Sequence, residues 1–166
     1  MTFTRKKKKY TVAVNQAYLP LGISKNSFVT NPNTGTPLFG QFPLINVPNN
    51  SQIFPQAPIY LKAGDHWGPN KGFGVVHIWQ EHFNSQANYQ AALPLAVGLV
   101  NKIIVTGARI FYEYGTGSDA EKCTVFKSAH GLAIVTLKTD GWGLPYYSII
   151  TVYPSRKVHG QEIGKL

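Results

Sequence analysis

Acid is scarce in this chain, and so is sulfur. Only seven of its 166 residues are Asp or Glu, and it has a single cysteine, Cys123. One thiol cannot close a disulfide within the chain, and in C-T-V-F it reads as a buried structural residue of a strand, not a nucleophile. The carboxylates, Asp65, Glu81, Glu113, Asp119, Glu121, Asp140 and Glu162, are scattered. They offer no pair for glycoside chemistry and no cluster for Mg²⁺, which argues against a metal-dependent nuclease. Long apolar runs are missing too: the longest, residues 91–100, carries Pro94 and falls well short of the roughly 20 residues of a spanning helix. No secretory signal is visible, because the basic start R-K-K-K-K leads into the polar Y-T-V-A-V-N-Q-A-Y. These absences lead to the expectation of a soluble protein with no membrane span.

What is abundant is positive charge. Sixteen Lys and Arg give a formal net charge of +9, which favours a polyanionic partner such as nucleic acid, an acidic lipid surface or an acidic inhibitor. Five of these cations form the run Arg5 to Lys9, read either as a solvated tail or as a phosphate-binding arm. Seven of the eleven prolines precede residue 60, in a stretch rich in Asn, Gly, Ser and Thr. Proline at that density forbids long helices and central strands, while Tyr18, Phe28, Phe39, Phe42, Ile45 and Phe54 between the prolines call for burial. Residues 1–58 therefore read as a basic tail and an extended Pro/Asn-rich arm, and 59–166 as the compact body.

Within that body, residues 59–83 concentrate the titratable chemistry. Three of the five histidines, His66, His77 and His82, flank the glycine-dense turn G-P-N-K-G-F-G. Histidine exchanges protons near neutral pH, so such a group is a candidate acid/base site, set against the plainer reading of packed or solvated rings. His77 and His82 lie five apart and so point to different helix faces, whereas His77 and Glu81 share one. H-I-W-Q-E-H thus fails the zinc-protease pattern, and no bound metal is expected.

Periodicity predicts a short helix over 75–83, Asn84 and Ser85 as candidate caps, and a second helix over 88–104 that meets Pro94 in its first turn or at a kink. Runs at 108–114, 123–128, 131–139 and 146–153 read as an antiparallel meander, with Arg109 and Lys127 projecting from neighbouring strands. In the last run, strict alternation places Tyr147, Ile149, Thr151 and Tyr153 on one face. The expected fold is α+β: short N-terminal helices packed on a four-stranded antiparallel sheet, preceded by the extended arm.

G-D-H-W-G-P-N-K-G-F-G-V-V-H-I-W-Q-E-H, followed by a helix, a sheet and a last strand reading I-T-V-Y-P, resembles the phage and polymorphic-toxin branch of the barnase, EndoU, colicin and RelE-like nuclease superfamily. The likeness spans residues 59–156, and its most specific part is G-F-G-V-V-H-I-W-Q-E-H. The resemblance implies a metal-independent, cofactor-free ribonuclease acting in the bacterial cytoplasm, after delivery as part of a larger effector. RNA, tRNA included, would be its target and an acidic immunity or antitoxin protein its partner. It implies His77, with His66 or His82, as the acid/base residues. Thr151 and Tyr153 would contact or position the phosphate, and Glu81 would act as a barnase-type base or support a histidine. Lys71, Arg109, Lys127 and Arg156 are the cations available to hold substrate phosphates, and Trp67 is available to stack on a base. Two other classes compete: a non-catalytic nucleic-acid-binding or phage structural module, and an ADP-ribosyl transferase, for which only Glu113 and Glu162 offer a late glutamate.

Overall fold

The computed structural model describes residues 18–47, 52–113 and 123–166. The basic run Arg5 to Lys9, the turn at 115–122 and the Cys123 side chain lie outside the described residues. Six strands precede the helices: β1 (Leu38–Phe42), β2 (Ile45–Asn46), β3 (Ile53–Phe54), β4 (Ala57–Tyr60), β5 (Asp65–Gly68) and β6 (Lys71–Phe73). Two helices follow, α1 (Gly74–His82) and α2 (Tyr89–Ile103). The chain ends in β7 (Arg109–Tyr112), β8 (Cys123–Ser128), β9 (Gly131–Thr139), β10 (Pro145–Tyr153) and β11 (Gln161–Lys165).

The expected α+β fold with four antiparallel strands is wrong. The protein is mostly β: one open, curled, mixed sheet of seven strands in the order β1-β4-β10-β9-β8-β7-β11, with β2-β3 and β5-β6 as separate hairpins. The two helices lie mid-chain, between β6 and β7. Two errors account for the difference. Q-E-I-G-K follows the turn at Gly160 and pairs antiparallel with β7, adding an edge strand. At the other edge, the proline-rich arm supplies β1 and the first two residues of β4, which crosses the expected boundary at 58/59 and joins the sheet through Ile59 and Tyr60. Pro58 is tolerated inside β4 because the parallel pairing with β10 begins only at Ile59, so no N–H is required of the proline on that side.

The sheet curls far enough that its two ends approach. Ile45, just beyond β1, packs on Gly164 of β11, where an added Cβ would lie 2.8 Å from Ile45 Cδ1. Phe42, Phe54, Phe126 and Tyr147 fill the enclosed face, with the Phe42 and Tyr147 rings stacked at 4.0 Å. Each such ring contributes roughly 1.5–3 kcal/mol by leaving water. The Tyr147 hydroxyl donates to the Pro55 carbonyl at 2.9 Å, so its one polar atom is satisfied.

Both helices form where the periodicity predicts them. Asn88, not Asn84 or Ser85, caps α2, its side-chain oxygen accepting from the Ala91 N–H at 2.9 Å. Pro94 is the sixth residue of α2, beyond the first turn. The carbonyl it leaves without a helical donor belongs to exposed Gln90, where water can supply the bond. No helix among the described residues is long and apolar enough to cross a membrane.

Candidate functional site

The site is made by a crossing of chain segments. The first N–H groups of α1 have no side-chain cap; instead Val75 donates to the Lys62 carbonyl at 3.0 Å and Val76 to Ala63 at 2.9 Å. This ties the start of α1 to the segment linking β4 to β5, and so sets α1 against the β5-β6 hairpin. The approach is too close for a side chain. At Gly72, with φ +149°, a Cβ would stand 2.3 Å from the Asp65 carbonyl oxygen and 2.8 Å from His77 Nδ1. Glycine at 72 therefore lets the two hairpin strands close on each other and lets the hairpin lie over His77 of α1.

The crossing brings His66 of β5 against His77 of α1. Their Nδ1 atoms are 3.0 Å apart and their rings stack at 27°. Such a bond requires one ring to carry its proton on Nδ1 and the other to leave Nδ1 bare. His77 is 2% exposed, and burial holds its pKa below the usual histidine value, with the Glu81 charge opposing the shift and His66 and His82 adding to it. A neutral His77 can accept the Nδ1 proton of His66. His66 then keeps the other nitrogen of its partly exposed ring for a ligand. Glu81 stands beside the pair, one turn along α1, and accepts the Asn70 N–H at 2.9 Å. Tyr18 closes the site by edge contacts with His66 at 6.4 Å and Trp79 at 5.8 Å.

His82 does not join the pair. It lies at the end of α1 in edge contact with Tyr153 at 5.3 Å, its Nε2 buried with no hydrogen-bond partner among the described residues. Burial lowers its pKa, while the Val152 main chain and Glu81 act the other way. Trp67 and Lys71 are exposed on the β5-β6 hairpin beside His66. On β10 the strict alternation fails. Ile149 pairs with Val135 and Thr151 with Ile134, leaving Ile150 as a bulge. The extra residue inverts the phase, so Val152 takes the core face with Tyr147 and Ile149. Thr151 and Tyr153 turn to the other face. Thr151 is buried there with its hydroxyl unpaired among the described residues, whereas Tyr153 is partly exposed under the Arg156 guanidinium, 4.5 Å from its ring centre. Arg109 and Lys127 are register partners on β7 and β8 and line a groove of about 490 Å³ with Lys165.

His66, His77 and Glu81 each present a ligand atom within 4.8 Å of the others. Imidazole nitrogens with one carboxylate are a donor set suited to Zn²⁺ or another transition metal. This possibility was hidden in the sequence, since His66 and His77 are separated by a turn and not by a helical spacing. Sequence reasoning also missed Lys165 and Tyr18. Lys165 had a signal, the turn at His159-Gly160 before a short strand-like run; Tyr18 had none. The chain matches no family model, no curated protein and no solved structure. The nuclease likeness of residues 59–156 thus remains one of motif.

Proposed function

We propose that the chain is a metal-independent ribonuclease that cleaves RNA by 2′-OH transphosphorylation. The observation that carries this reading is the 3.0 Å Nδ1 to Nδ1 contact between His66 and His77. In that reaction the attacking 2′-oxygen and the leaving 5′-oxygen stand on opposite sides of the phosphorus, so two rings bonded to each other serve only one of the two positions. His66 takes the 2′-OH proton on its free nitrogen. Buried His77 is a positioning residue that fixes the tautomer of His66, with Glu81 favouring positive charge as it develops on the pair. Exposed Lys71 on the hairpin that carries His66, and partly exposed Tyr153 against His82 at the end of α1, are the candidates to protonate the leaving oxygen, and Arg156 over Tyr153 steadies the charged phosphorane. His82 supports Tyr153. A basic toxin of this kind fits an acidic immunity protein, and bacterial cytoplasmic RNA, tRNA included, is the proposed target.

A second reading rests on its own observation, the His66, His77 and Glu81 donor set, which would make the cleavage metal-dependent. One experiment separates them. Purified protein is incubated with total RNA in EDTA, beside His66→Ala, and product ends are analysed. Cleavage in EDTA leaving cyclic phosphates, lost in the variant, supports the first reading. Cleavage abolished by EDTA and restored by Zn²⁺ supports the second, and salt-sensitive RNA binding without cleavage refutes both.

A further inference from the structure

On the face turned away from the core, cations stand in one register row. Tyr153 pairs with Leu132, Leu132 with Lys127, Lys127 with Arg109, and Arg109 with Lys165. Directly paired residues of antiparallel strands project to the same side, so these five side chains cross β10, β9, β8, β7 and β11 as a single line. At about 4.8 Å per strand the line is roughly 19 Å long. The gap at buried Leu132 is bridged from above: Arg156 lies over Tyr153, and Lys127 Nζ donates to the Arg156 carbonyl at 3.4 Å.

The far end of the row is hollow. Arg109, Lys127 and Lys165 line the groove with Thr106, Gly107 and Ser128, and its 490 Å³ falls within the ~300–1,000 Å³ of ligand sites. Arg109 is held in place by its guanidinium lying over the Phe111 ring, 5.1 Å from the ring centre. The carboxylate against it is Glu162, at 3.7 Å in a pair whose two side chains are 51% and 38% exposed, which a phosphate can displace. The near end meets the candidate active site through the contact of Tyr153 with His82, which follows Glu81 on α1.

We propose that this row is a phosphate track for single-stranded RNA, leading from Tyr153 and Arg156 beside the reaction site to a nucleotide-binding groove formed by Arg109, Lys127 and Lys165. Its choice of RNA rests on the ribonuclease reading. The protein would then grip several nucleotides on one side of the cut, with an affinity set by backbone charge and not by base identity.

The test measures fluorescence anisotropy of a labelled 2′-O-methyl oligoribonucleotide 12-mer, which cannot undergo 2′-OH attack, against the full chain over a range of salt. Each phosphate contact on a single strand contributes about 0.7 to the slope of log affinity against log salt. Arg109→Gln, Lys127→Gln and Lys165→Gln are each expected to lower that slope by about 0.7, and the triple variant by about 2. Lys138→Gln, on the same face but six residues up β9 from Leu132, should leave it unchanged. Equal losses in all four variants, unchanged slopes, or no binding by the wild type would overturn the track. So would binding of phosphatidylserine vesicles through these cations with the oligomer ignored. Unmodified RNA is assayed in parallel: intact RNA with the slope changes present overturns the ribonuclease reading and leaves the track.

Discussion

If His77 acts only through His66, removing either ring should cost about the same as removing both. The perturbation is a cycle of His66→Ala, His77→Ala and the double variant, read as kcat/KM on a fluorogenic RNA in EDTA. A proton-transfer partner is typically worth 10²- to 10⁴-fold. His77 is 2% exposed and meets His66 at 3.0 Å, so it has no separate route to substrate. Each single variant is therefore expected to lose roughly 10³-fold, about 4 kcal/mol. Independent residues would lose roughly 10⁶-fold together, about 8 kcal/mol; a unit loses little more than 10³-fold. A fourth variant, His77→Asn, keeps an acceptor near the place of Nδ1 and should recover part of the activity that His77→Ala loses. Urea unfolding of every variant guards against loss of fold. Multiplicative losses, or His77→Asn no better than His77→Ala, would refute the positioning role.

Stability should also depend on pH. His77 and His82 have pKa values lowered by burial, so between their folded values and about 6.5 the unfolded chain binds more protons. Stability is then full above about pH 6.5 and falls as pH drops through that window; a denaturation midpoint independent of pH from 7.5 to 5 would contradict the assigned burial. Gly72→Ala forces a Cβ to within 2.3 Å of the Asp65 carbonyl oxygen at φ +149°, and is expected to destabilise the fold by roughly 2–4 kcal/mol in urea titrations. Gly22→Ala, at φ +85° with nothing within 4 Å, should cost about 1 kcal/mol. Tyr147→Phe leaves the Pro55 carbonyl without its 2.9 Å donor and should cost about 1–2 kcal/mol while sparing the Phe42 stack; a neutral result by thermal melts would show water replacing the hydroxyl.

How much of this was legible follows from the range of the signal. Residues 123–128 and 131–139 form strands at the bounds their β-branched runs predict, and both helices lie within a residue or two of their apolar periods. These signals are local. The bulge at Ile150 was not legible, because Tyr146 to Val152 carries large or buried side chains on both faces and a one-residue phase change leaves no mark in such a run. Nor was the recruitment of β1, or the extension of β4 back through Pro58, since the proline rule speaks to a strand paired on both sides and Pro58 escapes it by one residue.

By itself, the sequence determined the chemistry available: a basic chain, one thiol, few carboxylates, and histidines gathered about a glycine-dense turn. Only the tertiary structure decided which of them meet. Residues 66 and 77 are eleven apart, and a hairpin folded back over α1 brings two ring nitrogens to 3.0 Å, while His82, closer to His77 in sequence, is carried to Tyr153 by the helical turn between them. The same holds for the cations. Lys127, Arg109 and Lys165 are separated by tens of residues and become neighbours through sheet register, which is set by long-range pairing and not by any local propensity.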